Sequence, residues 1–363
     1  MTNNLTPVRH KYVALDALRG IAALMVIFQH FWEMNHPSDA RFKPWLFFCA
    51  GHEAVILFFV LSGFVLMHQL RDYQLSDYGK FIGRRILRIY PAYYVALIFS
   101  GALLFIIRDY FPSALSGNNL TDWFYIWSKT NFDTPLWLGS ISLISHEGSS
   151  LNVAVWSLFY EMWISVLFPF FIYALGRGGW LLRIVIVACL GFISIRLWQT
   201  GQFLNDPWQG IVYYLWYFLL GALLYTIHHR LRLLAQWWVL VIGCGLYFSN
   251  YLTYGMITNR LLHEVIIAGG CFIILLNGIY NKVLQAFLHN TILQFYGKIS
   301  YSLYLFHLPV LYGLSYCLLR NGDNLVLVKV LTIMLATLVS WISYRYVEMG
   351  GIKYGKQLFG KAS

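Results

Sequence analysis

Ten stretches of about 17 to 25 predominantly apolar residues recur along this chain, and a helix of that length crosses a hydrocarbon layer of about 30 Å. Lipid offers backbone amides no partner, so such stretches fold as helices unless they are strands of a closed barrel. The residue-by-residue alternation of a barrel is absent. Composition agrees: 59% of the 363 residues are hydrophobic and 11% are charged, whereas soluble domains carry about a quarter charged residues to cover their surface. The sequence therefore predicts an all-α, polytopic transmembrane helical bundle. Its spans fall at about 12–34, 53–70, 90–108, 152–175, 181–198, 208–227, 234–252, 262–280, 298–319 and 325–346.

An even number of spans puts both termini on one side, and the basic residues say which. With the N-terminus inside, 17 Lys and Arg fall in cytoplasmic segments and 8 on the opposite side, with Arg19 inside the first span. That bias is the usual one for cytoplasmic loops, so both termini are expected in the cytoplasm and the protein in the cytoplasmic (inner) membrane. It also absorbs the net charge of +11. A nucleic-acid partner is not expected, because no basic helix is interleaved with exposed aromatics. Cys49, Cys189, Cys244, Cys271 and Cys317 are scattered and odd in number, forming neither a disulfide framework nor a metal motif. No signal-peptide cleavage site precedes the first apolar run, which is expected to remain as a transmembrane helix.

Two connections exceed a tight turn. The one at about 71–89 is strongly basic; the other, about 109–151, is rich in Trp, Ser, Asn and Gly, and its segments Trp123–Trp127 and Leu136–Leu143 look like short interfacial helices. No internal repeat or separate soluble domain is visible. The chain reads as one transmembrane domain over 1–350 followed by a short basic tail, 351–363. Chemistry must sit in the membrane or in those two connections.

The first span carries charge. It runs Leu15-Asp16-Ala17-Leu18-Arg19-Gly20 and ends Gln29-His30-Phe31-Trp32-Glu33. At about 100° per residue, Arg19 and His30 lie about 20° apart around the helix and about 16 Å apart along it, so they share a face. Charge inside a span normally faces a protein interior or a water-filled cavity. Arg19 is expected to line a cavity nearer the cytoplasm and His30 nearer the outside. Asp16 and Glu33 are each one turn from these residues and are their natural partners. Helix packing alone would also account for such groups, but histidine is the side chain suited to proton transfer near neutral pH.

Four other segments stand out. Phe58-Phe59-Val60-Leu61-Ser62-Gly63-Phe64 permits close backbone approach, as helix packing or as room for a narrow substrate. Arg85 and Arg88 lie one turn apart leading into the third span. They read equally as topology signals or as a clamp for phosphates, which guanidinium groups bind bidentately. Trp156-Ser157-Leu158-Phe159-Tyr160-Glu161 places a carboxylate about two turns inside the fourth span, near the depth expected for His30. Ser300, Tyr304 and His307 recur at helical spacing along the ninth; spacing does not settle whether Tyr301 joins them. No His-Glu-x-x-His, Cys-x-x-Cys, Gly-x-Ser-x-Gly or Walker pattern is present.

Taken together these segments resemble the acyltransferase-3 family of membrane acyltransferases, which modify surface polysaccharides such as O-antigen, other cell-envelope glycans and some secreted metabolites. Arg19 and His30 match its basic-x10-His pattern, and Phe58–Phe64 its Phe-Phe-x-x-Ser-Gly-Phe segment. Arg85 and Arg88 match Arg-x-x-Arg, Trp156–Glu161 match Trp-Ser-Leu-x-x-Glu, and Ser300–His307 match Ser-Tyr-Ser-x-Tyr-x-x-His. The five occur in the family's order from Leu15 to about Glu348. Three features depart from it. Many members have a polar residue where Ile56 lies, the closing Glu-x-Pro reads Glu348-Met349-Gly350, and an esterase-like domain after the last span, present in longer members, is not expected here.

The resemblance implies O-acyl transfer from acyl-CoA, usually acetyl-CoA, bound as a substrate rather than a tightly held cofactor, to a glycan or lipid-linked saccharide outside the cytoplasm. It implies that Arg19, Arg85 and Arg88 hold the donor phosphates, with Ser62 and Tyr301 along the donor path. His30 would act as general base or transient acyl carrier, oriented by Glu161 or Glu33. A proton-coupled transporter or flippase is the alternative, although inverted repeats and broken helices are not apparent. A scaffold without chemistry leaves the intramembrane charges unexplained.

Overall fold

The computed structural model describes residues 12–36, 43–71, 74–110, 120–130, 134–143, 151–176, 179–200, 207–256, 259–319 and 324–360. Among these there is no strand. The helices are α1 (Val13–Glu33), α2 (Gly51–Gln69), α3 (Tyr78–Tyr110), α4 (Asp122–Ile126), α5 (Thr134–Ser142), α6 (Val155–Gly176), α7 (Trp180–Thr200), α8 (Pro207–Ile227), α9 (Trp237–Tyr247), α10 (Arg260–Tyr280), α11 (Lys282–Leu288), α12 (Thr291–Leu318), α13 (Leu325–Ser343) and α14 (Met349–Phe359). Seven helical stretches, including the run Leu325–Phe359, are long and apolar enough to cross a membrane, and α7 and α9 contribute shorter apolar stretches. The one expected span left, the ninth, is α12, 28 residues long, whose centre mixes buried Ser300, Ser302 and His307 with apolar residues. The protein is a multi-pass membrane protein, and every expected span has its helix.

Close packing of the central helices depends on small residues. A Cβ on Gly20 of α1 would lie 2.6 Å from the backbone nitrogen of Gly297 in α12, and one on Gly221 of α8 would lie 2.7 Å from that of Phe64 in α2. In the Ser62-Gly63 pair it is the glycine that serves packing: Gly63 sits against the Phe218 carbonyl of α8. With no hydrophobic drive between helices in lipid, such small-residue contacts are the expected means of association. A proline sets another joint. Pro309 has no N–H for the carbonyl four residues earlier, and Asn152 Nδ2 donates to that carbonyl, Leu305 O, at 2.7 Å. This docks the start of α6 on the middle of α12.

Two boundaries differ from expectation. The basic connection at 71–89 is mostly helix, because α3 begins at Tyr78 and runs 33 residues. The span expected at 234–252 stops at Tyr247: Phe248 leaves helical geometry and a separate turn follows over Ser249–Leu252. Long-range polar contacts accompany the break. Asn250 Nδ2 donates to Glu53 Oε1 at 2.8 Å, and Tyr251 Oη donates to Cys49 O at 2.7 Å. The stretches within the 109–151 connection expected to be helical are α4 and α5. Of the segment expected as a tail, 351–359 belongs to α14 and 361–363 lie outside the described residues; α14 is held to α3 by Arg84, which donates to the carbonyls of Phe359 and Gly360 at 3.2 Å each.

Candidate active site

A cavity of about 550 Å³ lies between α1, α2, α3, α6, α12 and the Tyr344–Lys356 segment. Tyr12, Gln69 and Lys356 line one end; Phe58, Ser157 and Tyr304 line the other. Its wall mixes four cations, Arg19, Arg88, Lys298 and Lys356, with three carboxylates, Asp16, Glu161 and Glu348. Toward the Tyr304 end, Val55, Phe58, Phe59 and Leu158 make it apolar. Charges at this depth are costly unless paired or facing water, and much of the pairing is visible. Arg19 Nη1 lies 3.9 Å from Asp16 Oδ1. Arg85 Nη2 donates to Glu161 Oε1 at 2.7 Å. Arg85 is 8% exposed and does not itself line the cavity; its Nε is buried without a hydrogen bond among the described residues. Glu161 carries its charge to the cavity surface.

The helix carrying Ser300 and Tyr304 continues past the cavity. Tyr301 Oη donates to Ile89 O at 2.8 Å, tying α12 to α3 beside Arg88, and Tyr304 Oη shares a 2.8 Å hydrogen bond with Ser157 Oγ. One turn on, the His307 ring lies 5.9 Å from that of Tyr304 and stacks on the His30 ring at 5.3 Å and 19°. Trp123 of α4 stacks near His30 at 5.1 Å and 5°. His30 Nδ1 lies 3.0 Å from Glu33 Oε2, and the His30 side chain is 13% exposed. A histidine bonded through Nδ1 to a carboxylate presents Nε2 for proton transfer.

Arg19, Arg88, Glu161, Ser62 and Tyr301 all line the cavity, and Arg85 reaches it through Glu161. His30 and Glu33 are not among its lining residues; Tyr304 and His307 stand between them and its inner end. The carboxylate bonded to His30 is Glu33, whereas Glu161 is bonded by Arg85 from α3. Shared depth within two spans does not make two side chains neighbours.

A family model describing an acyltransferase domain matches residues 12–345. The chain belongs to the acyltransferase-3 family. Among its relatives, a candidate O-acetyltransferase of Staphylococcus aureus (strain COL) is 25% identical over 92% of this chain and 56% of its own length. This acyltransferase-3 chain thus spans little more than half of that relative. Shorter matches join it to a candidate acetyltransferase of Acidianus two-tailed virus, 37% identical over 26% of this chain and 25% of the relative. Another is protein 2 of the picA locus of Rhizobium radiobacter, 33% identical over 25% of this chain and 45% of the relative. No solved structure matches it.

Sequence reasoning missed three charged cavity residues of this family member. Lys356 lies in α14, beyond the last apolar run, and Lys298 is in sequence terms one of the 17 basic residues on the cytoplasmic side. Glu348 was noted only for the glycine that follows in place of proline. It ends a π-helical turn, Tyr344–Glu348, that interrupts the α-helical run; such turns occur frequently at functional sites. Its buried carboxylate accepts from Ser302 Oγ at 3.1 Å. A lone carboxylate near the end of an apolar span was the available signal.

Proposed function

We propose that this protein moves an acyl group, acetyl in the simplest case, from cytoplasmic acyl-CoA to a hydroxyl of a glycan or lipid-linked saccharide outside the inner membrane. The observation that carries the reading is a cavity with four cations in its wall and an apolar end at Tyr304, next to the stacked His307–His30 pair. Arg19, Arg88, Lys298 and Lys356 suit the phosphates of a nucleotide donor, since charged donors bind phosphate strongly. The apolar end suits its slender thioester arm. The family and the O-acetyltransferase relative agree with acyl transfer, and the 17-to-8 bias of basic residues favours the donor side as cytoplasmic.

In this mechanism His30 Nε2 takes the proton of the acceptor hydroxyl as its oxygen attacks the thioester carbonyl. The C–S bond then breaks, and the imidazolium returns the proton to the leaving thiolate. Attack by Nε2 itself, followed by transfer from an acyl-histidine to the hydroxyl, uses the same groups. Glu33 holds His30 Nδ1–H and stabilises the imidazolium. Glu161 serves as counterion to Arg85 and itself forms part of the donor wall.

Purified protein in lipid, given radiolabelled acetyl-CoA and candidate glycans, should transfer label to one of them; hydrolysis or transport without transfer would refute the reading. In cells, a cysteine at Lys129 should react with an impermeant thiol reagent added outside, and one at Ser76 should not. The reverse pattern would exchange donor and acceptor sides.

A further inference from the structure

Glu33 receives a second hydrogen bond, from a residue to which the mechanism has given no part. Gln29 Nε2 donates to Glu33 Oε1 at 2.7 Å, and Gln29 Oε1 accepts from the backbone N–H of His52 at 3.0 Å. His52 lies in the first turn of α2, where the earliest intrahelical bond runs from Ala54 N to Ala50 O. First-turn amides have no acceptor inside their own helix, so this one is available to Gln29. The chain of contacts joins α2 to the His30 ring through two side chains of α1.

A backbone amide only donates, which fixes how the Gln29 amide is turned, and an ionised Glu33 carboxylate only accepts. Gln29 must present its oxygen to His52 and therefore its NH₂ group to Glu33. Glu33 accepts there through Oε1, and its Oε2 receives Nδ1–H of His30. Neutral His30 is thereby held with hydrogen on Nδ1 and the lone pair on Nε2. We infer that Gln29 is a positioning residue: turned by the His52 amide, it donates to Glu33 Oε1, favours the ionised carboxylate and holds Oε2 on His30 Nδ1–H, and so selects the His30 tautomer that can accept a proton at Nε2.

Gly51 makes the contact possible. A Cβ at position 51 would lie 2.5 Å from Gln29 Oε1 and 2.9 Å from its Cβ, so any larger residue displaces Gln29 from the His52 amide. Gly51 and Gln29 are 22 positions apart and neither lies in the cavity wall; what brings them together is the hydrogen bond from the neighbouring His52 amide to Gln29.

The inference rests on reading His30 as the base, and its test separates the two. Protein labelled with ¹⁵N-histidine, in lipid bilayers, reports imidazole tautomers by solid-state NMR, with the His30 signals identified by their loss in His30→Gln. Neutral wild-type His30 should show protonated Nδ1 and bare Nε2. Gln29→Leu, close in size, and Gly51→Ala, which leaves Gln29 intact but displaced, should both admit the Nε2-protonated form. Turnover at saturating donor should fall about tenfold in each, the worth of one hydrogen bond to a charged group, with the donor KM unchanged. A purely packing role for Gln29 would lower the melting temperature and leave the tautomer alone. An Nε2-protonated wild type, or an unchanged tautomer in folded Gln29→Leu, overturns the inference even if label transfer is robust. Failure of label transfer with the expected tautomers overturns the proposed function instead.

Discussion

The two ends of the site are built in opposite ways. The cavity wall is assembled from five helices and the segment that follows α13, and its decisive ion pair, Arg85–Glu161, joins residues 76 positions apart. The His30 end takes its polar contacts mainly from one helix: His30, Glu33 and Gln29 lie within five consecutive residues of α1, and rings from α4 and α12 pack against them. A wall made of distant charges tunes how tightly an anionic donor is held. A single helix turn, anchored at both faces, holds one nitrogen in one orientation. Binding and transfer should accordingly respond to different substitutions.

The largest separation is expected at His30. His30→Gln keeps hydrogen-bonding capacity but cannot shuttle a proton, so acyl transfer should fall by about 10² to 10⁴, while thermal stability stays near that of wild type. Retained transfer would move the base to His307 or Glu161. Next comes Glu161→Ala, which strands the buried Arg85 guanidinium. Removing one partner of a fully buried pair costs about 3 to 5 kcal/mol; with the Glu161 side chain 30% exposed, about 2 kcal/mol is the sensible figure. It should appear as a lowered melting temperature together with altered donor binding. A change in turnover alone, with stability untouched, would place Glu161 in the chemistry.

Arg88→Ala should weaken acyl-CoA binding about tenfold through loss of a charged hydrogen bond, measured by isothermal titration. If Arg88 meets the 3′-phosphate, the loss shrinks for a donor lacking that group; an equal loss for both donors places Arg88 elsewhere along the nucleotide. The smallest effect is expected for Ser157→Ala. It removes the 2.8 Å bond to Tyr304 Oη and should cost about 1 kcal/mol of stability, with a modest rise in donor KM because Ser157 and Tyr304 both line the cavity.

The same contrast explains what could be read before the structure. Apolar runs need no partner to be recognised, which is why ten spans were legible, and the Arg19–Asp16 and His30–Glu33 pairs follow from helical periodicity alone. The Arg85–Glu161 pair was not legible, because which helices adjoin is a tertiary fact; depth within the bundle pointed Glu161 toward His30 instead. The break at Phe248 is hidden for the same reason, since Asn250 is drawn to Glu53 of α2. Lys356 escaped because the helical path resumes through a π turn after the apolar signal has ended.

The separation of donor wall and transfer base is tested most directly by measuring both quantities on one preparation of His30→Gln: the acyl-CoA binding isotherm and label transfer at saturating donor. Unchanged binding with transfer reduced at least a hundredfold, the lower bound for loss of a general base, is the predicted result. Weakened binding in parallel with lost transfer would contradict it, by showing that His30 belongs to the donor site and that the two ends work as one.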